Sequence, residues 1–295
     1  MAFQLQALLV NMLEQGALAG FLGLGVLITF RFFRFPDLTA EGSYPLGGAV
    51  AASLLAGGVA PVLATAAAIG AGAAAGIVTA LVHTKLRINN VVAGIIVMTA
   101  LYTVNLRVMG RANISLLSTS TLFDQASAAL GVGGRNEAWV TIALTFVLLA
   151  LAGVSLAWFL HTDLGLAVRA TGENEAMIRA LGVDTDRTKL IGLALSNGAI
   201  ALSGALVAQD HGFADIGMGI GILVTGAAAV MIGEALFGDG GIGRWIVATL
   251  VGVLIYQLLV ALALRVGLAP VDLKLITAVL LLFALVIPRL RPKPV

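Results

Sequence analysis

A run of about 20 mostly apolar residues constrains a chain more than any other feature. As a helix it matches the roughly 30 Å hydrocarbon layer of a bilayer, and only helices or closed barrels satisfy their backbone there. This chain carries nine such candidate spans, at about 14–33, 44–60, 61–82, 90–108, 138–160, 189–209, 217–237, 245–264 and 270–288. Composition agrees: 60% of the 295 residues are hydrophobic and 11% charged. Soluble domains carry about 25% charged residues, so this chain cannot clothe a water-facing surface. The expected fold is an all-α integral membrane protein of about nine transmembrane helices, one transmembrane domain over residues 1–295. With 36 Gly and long Ala/Gly tracts, close helix–helix approach is expected. Zero cysteines exclude disulfides, thiolate metal sites and cysteine nucleophiles. No metal site is expected, and no basic face exists to bind nucleic acid. No Lys or Arg precedes the first apolar stretch, which argues against a cleavable signal, and Phe3–Leu13 reads as a short interfacial helix.

Two spans are irregular. The second and seventh follow polar, Gly-bearing stretches, Asp37–Ser43 and Asp210–Gly221, which cannot be plain lipid-facing helix. They read as broken helices or re-entrant segments. An Asp-bearing, Gly-rich lead-in precedes an Ala-rich span in each half, at Asp37–Gly48 and Asp215–Gly226. Two pseudo-repeat halves with a translocation path between those segments are the expectation. With the N-terminus outside, nine spans place 12 Lys/Arg in the cytoplasm and 5 on the other side, favouring N-out/C-in. The long polar connections are then 109–137 outside and 161–188 inside.

Polar groups at membrane depth are costly and mark pathways or helix contacts. Asp37, Glu41, Ser43, Asn90, Asn105 and Asn197 are the candidate pathway residues. Asp37 and Glu41 read equally as capping or interfacial charges near Arg31 and Arg34. Asn90, Asn105 and Asn197, with Ser196 and Ser203, read also as interhelical hydrogen-bonding groups. Gly16/Gly20, Gly72/Gly76 and Gly217/Gly221 are small-residue packing pairs. In the inside connection, Thr171 reads as an N-cap, Glu173 and Glu175 as first-turn acids, and Gly182 as the stop after a helix of about ten residues. Its apolar stripe of Met177, Ala180 and Leu181 either packs on the chain's own bundle or meets a cytoplasmic partner.

Enzyme chemistry finds no footing. His83, His161 and His211 are far apart, and no H-E-x-x-H or G-x-S-x-G occurs. Gly238–Gly243 is glycine-rich but lacks the phosphate-loop lysine and reads as a turn between spans, so ATP, if it is used at all, is bound by another chain.

The run Arg169-Ala170-Thr171-Gly172-Glu173-Asn174, followed by Arg179-Ala180-Leu181-Gly182-Val183, closely resembles the loop signature of permease subunits of ABC importers, in the branched-chain amino acid and ribose class. Asp37-Leu38-Thr39 with Gly42-Ser43, His83-Thr84-Lys85-Leu86, and Leu101-Tyr102 to Asn113-Ile114-Ser115 are similar to a tryptophan/tyrosine subgroup of that class. The resemblance implies that the loop is a coupling helix docking on an ATP-hydrolysing subunit, with Arg169, Gly172, Glu173, Asn174, Arg179 and Gly182 as coupling residues. It further implies a non-catalytic subunit of the bacterial inner membrane that carries no cofactor, ATP and Mg being held by the partner ATPase. A second permease copy and an extracytoplasmic binding protein complete the implied assembly, which imports a small polar solute, an amino acid favoured. An ion-gradient-driven secondary transporter or a channel is the alternative.

Overall fold

The computed structural model describes residues 2–238, 240–269 and 272–290. Seven of its helical segments are long and apolar enough to cross a membrane: 8–32, 61–85, 90–109, 137–161, 185–211, 216–237 and 242–265. They coincide with seven of the nine candidate spans. The helices in chain order are α1 (Ala2–Leu27), α2 (Ala40–Ala56), α3 (Pro61–Lys85), α4 (Asn90–Met109), α5 (Leu122–Ala129), α6 (Glu137–His161), α7 (Asp163–Glu173), α8 (Glu175–Ala180), α9 (Thr185–His211), α10 (Ile222–Phe237), α11 (Ile242–Arg265) and α12 (Leu273–Leu290). The short interfacial helix expected at Phe3–Leu13 is continuous with the first span in α1.

Local sequence explains the boundaries. Pro61 opens α3, where a missing N–H costs nothing. Asn89 caps α4, accepting from the Val91 N–H, and Gly110 ends it with φ 67°. Pro36 forbids a continuous first helix. Instead α1 widens into a π-helical turn at Ile28–Phe32, and the Phe33 and Phe35 amides reach back to the Ile28 and Thr29 carbonyls at 2.8 Å each.

Helix α9 is the post of the bundle, packed against α1, α2 and α3. Gly72 and Gly76 of α3 face its Asn197 and Leu193 carbonyls so closely that a Cβ at either would overlap them. Its buried hydroxyls and amides are spent between helices, as expected for Ser196 and Ser203. Ser196 Oγ donates to the Gly25 carbonyl and Ser203 Oγ to that of Leu18, both at 2.8 Å, and Gln209 Nε2 donates to Thr65 Oγ1 at 2.9 Å. The other two glycine pairs behave differently. Gly16 and Gly20 touch different helices through Leu254 and Leu149, while Gly217 and Gly221 lie in a turn.

Helix α2 is the irregular one. It has 17 residues, about 25 Å of helix, and lies among α3, α4 and α9. It runs parallel to α9, Ser43 bonding Asn197 and Gly47 abutting Ala201. Asn197 is twelve residues past the start of α9 at Thr185, about 18 Å along its axis. So α2 begins deep in the bundle, and residues 33–39 return from the end of α1 to reach that depth. The second lead-in behaves likewise: strand β2 (Phe213–Asp215) and a 3-10 turn (Ile216–Gly219) lead back to α10.

The connection between α4 and α6 is folded. Strand β1 (Asn113–Ser115) pairs antiparallel with β2, Asn113 opposite Asp215. Thr121 and Asp124 form a capping box that starts α5, and the Leu122 N–H donates to Gln209 Oε1 at 3.0 Å.

Candidate functional site

Five of the six candidate pathway residues fall into two adjoining groups. The first is a buried polar network. Asp37, 1% exposed, follows Pro36, and its Oδ1 accepts the Thr39 N–H at 2.9 Å, shaping the turn into α2. Its Oδ2 accepts from Asn197 Nδ2 at 2.6 Å. Asn197 Oδ1 in turn accepts from Ser43 Oγ at 2.7 Å, and its Nδ2 also meets the Leu193 carbonyl at 3.0 Å. Beside it, the Thr39 and Thr79 hydroxyls are 2.7 Å apart. One carboxylate thereby ties α2 to α9, with α3 joined through Thr79. Asp37 does act as a turn cap, but deep in the bundle rather than among interfacial charges.

The second group surrounds a cavity of about 270 Å³ lined by Glu41, Gly42, Pro45, Met98, Thr99, Tyr102, Asn105, Ile216 and Ile220. Here the two lead-ins touch. Pro45 has no N–H to offer the Glu41 carbonyl, and Gly219 approaches that carbonyl so closely that a Cβ would overlap it. Glu41 Oε1 accepts the Gly221 N–H at 3.2 Å. Asn105 Nδ2 donates to the Gly42 carbonyl at 3.2 Å, and its Oδ1, though buried, has no partner among the described residues. Asn90 joins neither group. It sits in the first turn of α4, where its Oδ1 accepts the adjacent Val91 N–H at 2.9 Å. Sequence reasoning missed Thr79 and Tyr102 as members. Thr79 is one of three threonines in an alanine-rich helix, with Thr65 and Thr84, so its sequence context alone did not single it out.

The 161–188 connection corrects the expected single helix. Thr162 caps α7, accepting the Gly165 N–H at 3.2 Å, and α7 runs through Thr171 to Glu173. Thr171 is no cap. Its hydroxyl donates to the Ala167 carbonyl at 2.7 Å and meets Thr188 Oγ1 at 3.0 Å. Asn174, extended at φ −155°, caps a separate helix α8 through the Met177 N–H. Gly182, at φ 88°, does end it: its N–H returns to Arg179 O and that of Val183 to Ile178 O.

The signature residues seat this loop. Gly172 meets the Phe32–Phe33 backbone, leaving no room for a Cβ. Glu173 pairs with Arg34 at 2.8 Å, and Arg179 with Glu175 at 2.9 Å and with the Thr185 hydroxyl. Lys189 of α9, 7% exposed, bonds Glu175 at 2.7 Å and His83 Nε2 at 3.1 Å. Burial pushes the Glu175 carboxyl up, but the Lys189 hydrogen bond and the Lys189 and Arg179 charges outweigh it and hold it below its ordinary value. Arg169 lines a cleft of about 380 Å³ shared with Arg31, Glu173, Gly240, Gly241 and Trp245, its buried Nε without a partner among the described residues. Arg31 stacks on Trp245, 4.0 Å from the ring centre. Leu164, Met177 and Leu181 point outward, each more than half exposed.

Residues 8–286 match the profile of the family described as branched-chain amino acid transport system / permease component. The chain is 40% identical to the tyrosine transport system permease protein of Clostridioides difficile (strain R20291), over 93% of this chain and 89% of that one. It is 30% identical to the ribose import permease protein RbsC of Escherichia coli (strain K12), over 84% of this chain and 74% of that one. In fold it is similar, at TM-score 0.51 and 16% identity, to the solved structure of PsaBC from Streptococcus pneumoniae in complex with Fab, covering 95% of this chain and 90% of that one.

Proposed function

Because the chain belongs to the branched-chain amino acid transport system / permease component family of ABC-type importer permeases, we propose that it is the membrane-spanning subunit of an importer for an amino acid. The carrying observation is mechanical. The loop is keyed through Gly172 and Arg34 to the start of the segment that returns from α1 to α2, and through Lys189 to α9; the buried network hangs from that same return segment at Asp37 and from α9 at Asn197. A push on the loop is therefore delivered to the middle of the bundle.

In this reading two ATPase subunits, which hold ATP and Mg, dock on the cytoplasmic loop at its outward Leu164, Met177 and Leu181. Arg169, Gly172, Glu173, Asn174, Arg179 and Gly182 are the coupling residues, acting mainly by giving the loop its shape and seat. ATPase closure moves that rigid piece and switches the bundle between inward- and outward-facing states. A second copy of the chain supplies the other wall of the path, along which Asp37, Glu41, Ser43, Asn105 and Asn197 lie. An extracytoplasmic binding protein delivers the solute, the orientation is N-out/C-in, and the membrane is the bacterial inner one. The 40% identity to a tyrosine permease favours an amino acid over a sugar.

The test is reconstitution. Purified chain is expected to copurify with an ATPase subunit, to lose it on Gly182→Val or Met177→Glu, and to import solute only with ATP. Solute flux through this chain alone, without nucleotide, overturns the reading in favour of a gradient-driven carrier or channel.

A further inference from the structure

Resting on the reading of this chain as an amino-acid permease, we propose that the cavity between α2, α4 and the 216–221 turn binds the ammonium group of an apolar or aromatic solute, with Glu41 and Asn105 as its acceptors. The polar groups on its wall accept more than they donate. Glu41 is a carboxylate that spends one bond on the Gly221 N–H. Asn105 is 1% exposed, and its orientation is fixed because the Gly42 carbonyl, which can only accept, faces Nδ2. The atom left over is Oδ1, an acceptor without a donor among the described residues. Thr99 has already donated its hydroxyl hydrogen to the Ile95 carbonyl at 2.8 Å. Among the described residues no Lys, Arg or His lines the cavity, so none of them neutralises Glu41 there.

A ligand that completes this wall brings N–H donors and positive charge together. An ammonium does both, whereas a sugar brings donors without charge, and a lone carboxylate is repelled. The rest of the lining sets the remainder of the ligand: Pro45, Met98, Ile216 and Ile220 are apolar, and Tyr102, 57% exposed at the mouth, offers a ring face to a cation. An ionisable group at membrane depth is by default a functional one, and here its complement is identifiable.

Full-length permease in nanodiscs of zwitterionic lipid, with empty discs as background, is titrated with tyramine, L-tyrosine, 3-(4-hydroxyphenyl)propionate and ribose. Tyramine and L-tyrosine are expected to bind, and the two probes without an amine at least tenfold more weakly. Glu41→Gln keeps an acceptor oxygen for Gly221 but loses the charge, and is expected to weaken tyramine at least tenfold. Binding of tyramine no tighter than that of the propionate, unchanged tyramine affinity in the Gln variant, or no binding of either amine overturns the proposal. The probe series on the unaltered protein decides even if the variant fails to fold. ATP-driven uptake of L-tyrosine by the complete importer is measured in parallel. Uptake without amine discrimination in the permease sinks this site alone, whereas no ATP-driven uptake of any solute sinks the importer reading itself.

Discussion

Asn197 shows what a single residue in this bundle does. It is fully buried, donates to Asp37 and accepts from Ser43, so truncating it strips partners from a carboxylate and a hydroxyl at once. Asn197→Ala is expected to cost about 1–3 kcal/mol, read as a lowered thermal midpoint of the purified protein. Asn90→Ala removes only a bond to its own neighbouring amide and is expected to stay within about 0.5 kcal/mol. Equal losses would mean that the network is not a stabilising unit. Both asparagines stand out equally in sequence, as amides in apolar surroundings. What separates them is the partner across the helix contact, and Ser43 and Asp37 lie 154 and 160 positions away along the chain. No local pattern carries that pairing.

At the scale of the element, the α7–α8 loop has two seats of different worth. The Arg34–Glu173 pair is exposed on both sides, at 48% and 66%, and such pairs contribute little. Gly172 lies against the Phe32–Phe33 backbone, where overpacking has no side chain to displace. Glu173→Gln is expected to leave the thermal midpoint nearly unchanged, and Gly172→Val to cost about 1–3 kcal/mol and release ATPase from the complex. The second seat, Glu175 on Lys189 and Arg179, is pH-dependent. The folded carboxyl titrates below its ordinary value, so its contribution is complete above the ordinary glutamate pKa and is lost as pH falls through the lowered folded one. Hydrogen exchange of 174–183, corrected for intrinsic rate, is expected to show constant protection near neutrality and opening on strong acidification. In Glu175→Gln the protection is expected to be low throughout, with no acid step. Sequence located this loop and its Gly182 stop but opened the helix at Thr171 rather than Asn174 and did not foresee α7 before it. Thr171 and Asn174 are both good caps three residues apart, and tertiary contact chose: the Thr171 hydroxyl is engaged by Thr188, which leaves Asn174 to restart the chain.

At the scale of the whole molecule, hydropathy marked the long helices because a span must be apolar along its length, whatever its neighbours. It did not reveal where α2 begins, since its depth comes from alignment with α9 rather than from its own composition. Nor do distances within the bundle fix which end faces the cytoplasm. That rests on 12 Lys/Arg against 5 under the N-out arrangement, with the 161–188 loop on the rich side. The chain has no cysteine, so single cysteines can be added to it without background. Met177→Cys in α8 and Leu130→Cys beyond α5 replace side chains 59% and 67% exposed at opposite ends of the bundle. In intact cells stripped of outer membrane, an impermeant maleimide is expected to label position 130 and spare 177. In inverted vesicles the pattern is expected to reverse, with 177 further protected when ATPase subunits are bound. Labelling of 177 from outside would place the loop where no ATP-driven motor can reach it, and the mechanical reading of the bundle would fall with the orientation.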